Sequence, residues 1–296
     1  MNNIILEYQG AFNSIIDKLK GSDEVIAVMV FGSMVTGDLW EDSDIDLFVI
    51  VKGSKSKIEN IYTEEKEISI HMKLISKERF MQFHDEDFVG GFIHRMLVSS
   101  KLVFSRDMEV TERFDNGRYY PDLERQKWSL VYLGVLIKNI DTCKKYLSND
   151  SIFSAFCEST NCLQQYSRLY VNHSGYMVSK DTMRFCMNLN DGFKEIAENL
   201  LSLENMKLSI EKLIIYLEKD IEENMKNYTS ILLSFMATKG KHLSAQEIQS
   251  DQFFINFKIS AEHILNKLYN KNLVKKSSRE FALGKKILFE ENTYHL

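Results

Sequence analysis

Two apolar runs constrain the architecture of this chain more than any other feature. Residues Val25–Phe31 and Ile45–Val51 are apolar, rich in β-branched side chains and of strand length. Gly53-Ser54 closes the second run. Ahead of them, Ile4, Ile5, Phe12, Ile15, Ile16 and Leu19 recur at helical spacing across residues 4–20, and Gly21-Ser22 ends that segment. Residues 67–74 then alternate. Ile68, Ile70, Met72 and Leu74 face one way, and Glu67, Ser69, His71 and Lys73 the other. Ser76 reads as the cap of a helix starting at Lys77, and a further helix over 92–99 precedes a short strand over 102–104. Strands and helices thus mix in residues 1–118, as in an α/β or α+β layer.

Pro121, the only proline, follows Asn116-Gly117 and precedes a long helical pattern, so a boundary is expected there. From Asp122 to about Met236 no strand alternation stands out. Trp128, Val131, Tyr132, Val135, Leu136 and Ile140 make one stripe, residues 200–228 repeat the pattern, and four or five bundled helices are expected. The last ~55 residues change character again. Ser244 and Glu247 are spaced as a capping box, Ser260 and His263 open a longer helix, and two β-like segments, 279–283 and 286–290, join through Gly284. Helix, helix, hairpin is the order of a winged helix. The expected class is α+β, in three domains: a mixed sheet with helices over 1–118, an all-α bundle over 119–238 and a winged helix over 239–296.

Composition narrows the function classes. With 44% hydrophobic and 27% charged residues the 296-residue chain is an ordinary globular protein, too long for one core. A net charge of -5 argues against a whole-chain nucleic-acid binder. No apolar run reaches the ~18 residues of a membrane span, and MNNIILEYQG lacks the marks of a signal peptide. Cys143, Cys157, Cys162 and Cys186 form no C-x-x-C pair and read as buried thiols of a cytoplasmic protein.

The chemistry concentrates in residues 30–51, VFGSMVTGDLWEDSDIDLFVIV. After the strand ending at Phe31, Gly32 permits a tight turn and close backbone approach. Ser33 follows at the start of a short helix, where backbone N–H groups and a hydroxyl can hold a phosphate. Asp44 and Asp46, two apart on a strand, present their carboxylates side by side while Ile45 and Leu47 enter the core. Adjacent carboxylates repel unless a cation sits between them, and oxygen donors of this kind suit Mg²⁺ bound together with substrate phosphates. Taken alone, S-D-I-D also reads as a solvated strand face; Gly32-Ser33 at this spacing favours the site.

This pattern resembles the DNA polymerase beta-like nucleotidyltransferase superfamily. Its motif, an apolar residue before Gly-Ser, about ten residues, then Asp-apolar-Asp-apolar, is met by Phe31-Gly32-Ser33, residues 34–43 and Asp44-Ile45-Asp46-Leu47. Gly37 and the S-D-I-D-L wording look most like the small-molecule, aminoglycoside-type branch, over roughly the first third of the chain. The resemblance implies ATP, or another nucleoside triphosphate, with phosphates at Gly32-Ser33, Mg²⁺ on Asp44 and Asp46, and transfer of AMP to a hydroxyl. The family places a third carboxylate on a following strand. Here that position falls on His71, four residues after Glu67 on the same face. His71 then substitutes as proton acceptor, Glu67 reaches in, or activity is lost. Lys73 would neutralise phosphates, or is simply solvated. A small-molecule acceptor is the leading expectation. A protein- or tRNA-modifying enzyme and a non-catalytic, nucleotide-sensing, DNA-binding regulator are the alternatives.

Other residues have structural readings. Gly90-Gly91 with His94 and Arg95 either lines the nucleotide cleft or makes a turn, and Arg106-Asp107 reads as a structural pair. Trp128, Tyr132, Phe153, Phe156, Tyr166 and Tyr170 read as core, and Glu124, Glu158 and Asp191 as candidate bases. Lys271, Lys275, Lys276, Arg279, Lys285 and Lys286 stand against a single Glu280. Either this basic wing meets a nucleic-acid backbone, or its lysines are merely solvated and the domain serves protein interaction or homodimerisation.

Overall fold

The structure is a computed structural model, and it describes residues 2–36, 39–53, 57–82, 92–201, 205–283 and 286–296. The chain divides into two compact units, Met1–Pro121 and Asp122–Leu296.

In the first unit, helix α1 (Asn2–Lys20) leads into β1 (Val25–Phe31), a one-turn α2 (Ser33–Thr36) and β2 (Ile45–Val51). Then come β3 (Glu59–Glu65), β4 (Ile68–Ser76), α3 (Lys77–Met81), α4 (Phe92–Ser99), β5 (Lys101–Ser105) and α5 (Met108–Asn116). The five strands form one mixed sheet in the order β3-β4-β2-β1-β5. Only β2 and β4 run parallel, with Asp46 opposite His71. The two apolar runs are β1 and β2, two of the three interior strands and nearly buried on both faces, which explains why they read as nearly continuous hydrophobic sequence. One sheet face, including Val28, Ile45, Leu47 and Ile70, packs with Ala11, Ile15 and Ile16 of α1. The other, including Phe48, Ile50 and Ile75, packs with Phe80, Leu97, Val110 and Phe114 of the later helices. Ser76 caps α3 as expected, accepting from the Arg79 N–H.

One strand carries no sequence signal, and two local expectations change. The pattern of residues 59–65 is exposed throughout β3 except at Glu65, so this edge strand carries no apolar alternation to read. Glu67 is not in a strand. With Lys66 it makes the β3–β4 turn, both at positive φ (51° and 66°), and it is exposed there. Arg106 and Asp107 do not pair with each other. The Arg106 guanidinium donates to the carbonyls of Lys20, Ser22 and Val25 behind α1, and Asp107 caps α5 and accepts from Lys77 at 2.6 Å.

In the second unit the expected helices number six rather than four or five among the described residues: α6 (Asp122–Ser148), α7 (Ile152–His173), α8 (Thr182–Leu189), α9 (Asp191–Leu201), α10 (Met206–Tyr228) and α11 (Ser230–Lys239). The pattern read across 200–228 is two helices, because α9 ends at Leu201 and Asn205 caps α10. Phe153 is 79% exposed and Cys157 is exposed, so neither belongs to the core. Cys143, Cys162 and Cys186 are buried, and burial pushes their thiols well above the ordinary range.

The chain closes with α12 (Ala245–Ser250), α13 (Ala261–Asn270) and the antiparallel pair β6 (Lys275–Leu283) and β7 (Lys286–His295). The capping box is complete, Ser244 accepting from the Glu247 N–H and Glu247 from the Ser244 N–H. Ala261, Ile264, Leu265 and Leu268 are buried as their spacing requires. The other side of α13 is engaged as well: Tyr294 donates to Asn266 at 2.9 Å, and Lys267 lies 3.6 Å from Glu218. No helix among the described residues is long and apolar enough to cross a membrane.

Candidate active site

The site forms where β1 ends and β2 begins. Gly32 has φ +72°, a left-handed conformation, and a Cβ built on it would stand 2.5 Å from Asp46 Oδ2. Any side chain at this turn would therefore strain the backbone and displace a carboxylate. Ser33 follows. Its hydroxyl donates to the Asp44 carbonyl at 3.4 Å, tying the Gly-Ser turn to the start of β2.

Asp44 precedes β2, and Asp46 is its second residue. Alternation along β2 sends Ile45 and Leu47 into the α1-side core and the two aspartates to the opposite face. Their side chains are 38% and 25% exposed. In the parallel β4 the same face carries His71, whose Nδ1 lies 3.4 Å from Asp44 Oδ2 and 3.9 Å from Asp46 Oδ1. Strand register brings Asp46 and His71 together, and Asp44, the residue before β2, lies within reach of both strands' shared face. Tyr62, opposite His71 on β3, sets its ring edge-on to the imidazole at 4.8 Å and 84°. Sequence reasoning missed Tyr62 because β3 has no readable pattern.

Lys73, two residues further along the same face, donates to Asn60 on β3 at 2.9 Å. Glu67, held in the turn, is four residues from His71, or about 13 Å along an extended strand. It does not share the site. His94 is fully buried against Tyr120, and burial pulls its pKa down, so it lines no open cleft. Gly37 and Gly90-Gly91 lie outside the described residues.

The donor set is two partly exposed carboxylates with one imidazole nitrogen facing them. Among the described residues no group of three or more His, Cys, Asp or Glu side chains is disposed to hold a metal ion by itself. Two carboxylate ligands nevertheless fit a cation such as Mg²⁺, which keeps several waters and completes its shell with substrate phosphates.

In the second unit, Glu124 accepts from Lys127 at 3.1 Å and Glu158 from Asn161 at 3.2 Å, while Asp191 is exposed. Around the hairpin the basic excess is partly neutralised. Lys271 pairs with Glu222 at 3.1 Å, and Arg279 pairs with Glu247 at 3.1 Å and Glu291 at 2.6 Å. Strand pairing also sets Glu290 opposite Glu280. Lys275 and Lys276 are exposed, and Lys285 lies outside the described residues.

Residues 13–109 match the family model described as Polymerase beta, Nucleotidyltransferase. The matched segment, about a third of the chain, spans β1 through β5 and contains Gly32, Ser33, Asp44, Asp46 and His71. The first unit therefore carries a polymerase beta nucleotidyltransferase domain, as the motif suggests. No curated protein matches the chain. Thirteen chains of solved structures do. A nucleotidyltransferase-like protein from Exiguobacterium sibiricum 255-15 is 15% identical, with a TM-score of 0.66, over 97% of this chain and 99% of that one. At that identity the likeness speaks to fold alone. The spectinomycin adenyltransferase AAD(9) from Enterococcus faecialis, solved with ATP and spectinomycin, is 14% identical over 74% of this chain and 99% of that one. Its TM-score of 0.32 supports no argument from its structure.

Proposed function

We propose that the first unit catalyses nucleotidyl transfer, moving AMP from ATP onto a hydroxyl of a small molecule. The observation that carries this reading is the convergence of Asp44, Asp46 and His71 on one sheet face beside the positive-φ Gly32. Gly32, lacking a Cβ, leaves the phosphates room beside Asp46, and the Ser33 hydroxyl lies at the same turn. Asp44 and Asp46 would hold Mg²⁺ through their oxygens. When bound, such a cation neutralises triphosphate charge and polarises the reacting phosphorus.

His71 supplies the proton acceptor. With Nδ1 turned to Asp44 and Asp46, its Nε2 takes the proton of the acceptor hydroxyl. The hydroxyl oxygen bonds to the α-phosphorus as the bond to the pyrophosphate oxygen breaks, so pyrophosphate leaves with the electron pair. Lys73, on the same face, can turn from Asn60 toward phosphate. The acceptor class and the choice of ATP follow the resemblance of residues 43–47 to the small-molecule branch.

One observation favours a second reading. An imidazole stands where the family has a carboxylate, which suits a domain that binds nucleotide without turning it over. For the C-terminal segment we propose a winged helix in which Leu243 bridges Tyr294 as the first short strand. Its exposed Lys275 and Lys276 are the residues left to meet a nucleic-acid backbone. Incubation with α-labelled ATP, Mg²⁺ and a panel of hydroxylated acceptors separates the enzyme from the sensor. Label transfer with pyrophosphate release is expected of the enzyme, and binding without release of the sensor.

A further inference from the structure

Asp44 is the last residue of a polar loop, and nothing in its own sequence fixes where its carboxylate points. The loop is closed on itself. The Ser43 N–H donates to the Trp40 carbonyl at 3.0 Å, and the Trp40 N–H donates to Ser43 Oγ at 3.1 Å. Closure alone leaves the turn free to pivot at its two ends. One end is fixed by Ser33, which bonds the Asp44 carbonyl.

The other end is fixed from outside the motif. Tyr8 sits on α1, 2% exposed, and its hydroxyl lies 2.5 Å from the Ser43 carbonyl oxygen, 3.1 Å from that of Trp40 and 3.3 Å from that of Glu41. A phenol has one proton to give, and the shortest contact assigns it to Ser43, whose carbonyl belongs to the peptide unit that Asp44's own nitrogen completes. The helix that carries Tyr8 is a rigid mount. Ala11, Ile15 and Ile16 bury its apolar side against the sheet, and Ser14 and Lys18 bond the Glu65 carboxylate at the end of β3 at 2.7 and 2.5 Å. Burial, and next the charge of Asp44, push the Tyr8 phenol up, so it stays a donor.

We propose that Tyr8 is a positioning residue for Asp44: its hydroxyl, held by α1, locks the turn over residues 40–43 and thereby aims the first carboxylate of the site. This rests on the nucleotidyltransferase reading, because the carboxylate being aimed is the one assigned to the cation. The role is invisible in the motif, since Tyr8 precedes it by more than twenty residues. It also lies outside the family match, which starts at residue 13.

The test is Tyr8→Phe, which removes one oxygen and keeps the ring in the core. Mn²⁺ affinity is read by electron paramagnetic resonance, and exchange of the loop amides by mass spectrometry, on the full chain. Wild type should bind Mn²⁺, and Asp44→Asn should abolish the binding. Tyr8→Phe should weaken it roughly 3- to 10-fold, the worth of one lost neutral hydrogen bond, while exchange at Ser43 accelerates. A core control, Ile16→Val, loses packing on the same helix and should leave Mn²⁺ affinity unchanged even where its melting temperature falls as far. Equal Mn²⁺ affinity and equal loop exchange in Tyr8→Phe and wild type would overturn the positioning role alone. A wild-type chain that binds no Mn²⁺ would overturn the nucleotidyltransferase reading and the positioning role with it.

Discussion

Replacing Gly32 with alanine separates the two demands this turn makes, one on the backbone and one on Asp46. The backbone demand comes from φ +72°. An L-residue in the left-handed region costs about 1–2 kcal/mol relative to its ordinary conformation. In a unit of this size that loss lowers the melting temperature by roughly 5–10 °C. The second demand is steric. The new Cβ would stand 2.5 Å from Asp46 Oδ2, inside any tolerated contact, and the carboxylate is the softer partner, so it must rotate away. The fold therefore carries the first cost and the cation site the second. Gly53→Ala is the matched control: φ is +92° there, and a Cβ meets nothing within 4 Å. Differential scanning calorimetry paired with Mn²⁺ titration should show both variants destabilised, and only Gly32→Ala weakened in cation binding, by roughly tenfold or more. A Gly32→Ala protein that binds Mn²⁺ as wild type does would refute the idea that the missing Cβ makes room for the Asp46 carboxylate.

His71→Ala should lower kcat by roughly 10²–10⁴-fold while Mg²⁺-ATP still binds, because the imidazole is assigned to the proton and the aspartates to the cation; loss of binding with unchanged kcat would reverse that assignment. Asp107→Asn should lower stability at neutral pH and flatten its dependence on pH. The Lys77 hydrogen bond holds the Asp107 carboxyl below its ordinary value, so the charge-dependent stabilisation is present above pH 3.8 and vanishes as pH falls through the lowered folded pKa. Melting curves of the two proteins should therefore differ at pH 6 and converge as pH falls through that lowered pKa, because the amide oxygen of the variant still caps α5. At the hairpin, duplex DNA binding measured by fluorescence anisotropy should fall steeply with salt and be lost in the double variant Lys275→Glu, Lys276→Glu; binding that survives both changes would remove the wing from nucleic-acid contact.

The parts of the fold that were legible are those where burial and local geometry agree. β1 and β2 are legible because nearly all their residues are buried on both faces, and Ser76, Ser244 and Glu247 because a cap is a local bond between residues three apart. That Asp46 and His71 share a face followed from a period of two along their strands, whereas Asp44 ends the loop before β2 and is held there by bonds that the period does not describe. What was illegible depends on pairing between distant segments. β3 is a strand because β4 lies beside it, and its exposed Asn60, Tyr62 and Thr63 carry no pattern of their own. Glu67 looked like the start of a strand, yet two positive-φ residues make it the hairpin turn, a conformation that neither Lys66 nor Glu67 advertises. The basic wing looked more basic than it is, since only the register of β6 against β7 reveals Glu291 beside Arg279. Tyr8 carries no local signal, because its three carbonyl neighbours lie more than thirty positions away.

The most direct test of the central claim is calorimetric titration of ATP into the full chain with and without Mg²⁺, in wild type and in the double variant Asp44→Asn, Asp46→Asn. These substitutions keep side-chain volume and remove the two charges assigned to the cation. Wild type should bind ATP in a Mg²⁺-dependent way, and the double variant should lose that dependence while its melting temperature holds or rises, since two neighbouring carboxylates no longer repel. Mg²⁺-dependent ATP binding of equal affinity in both proteins would contradict the assignment of Asp44 and Asp46 as the cation ligands of a nucleotidyltransferase.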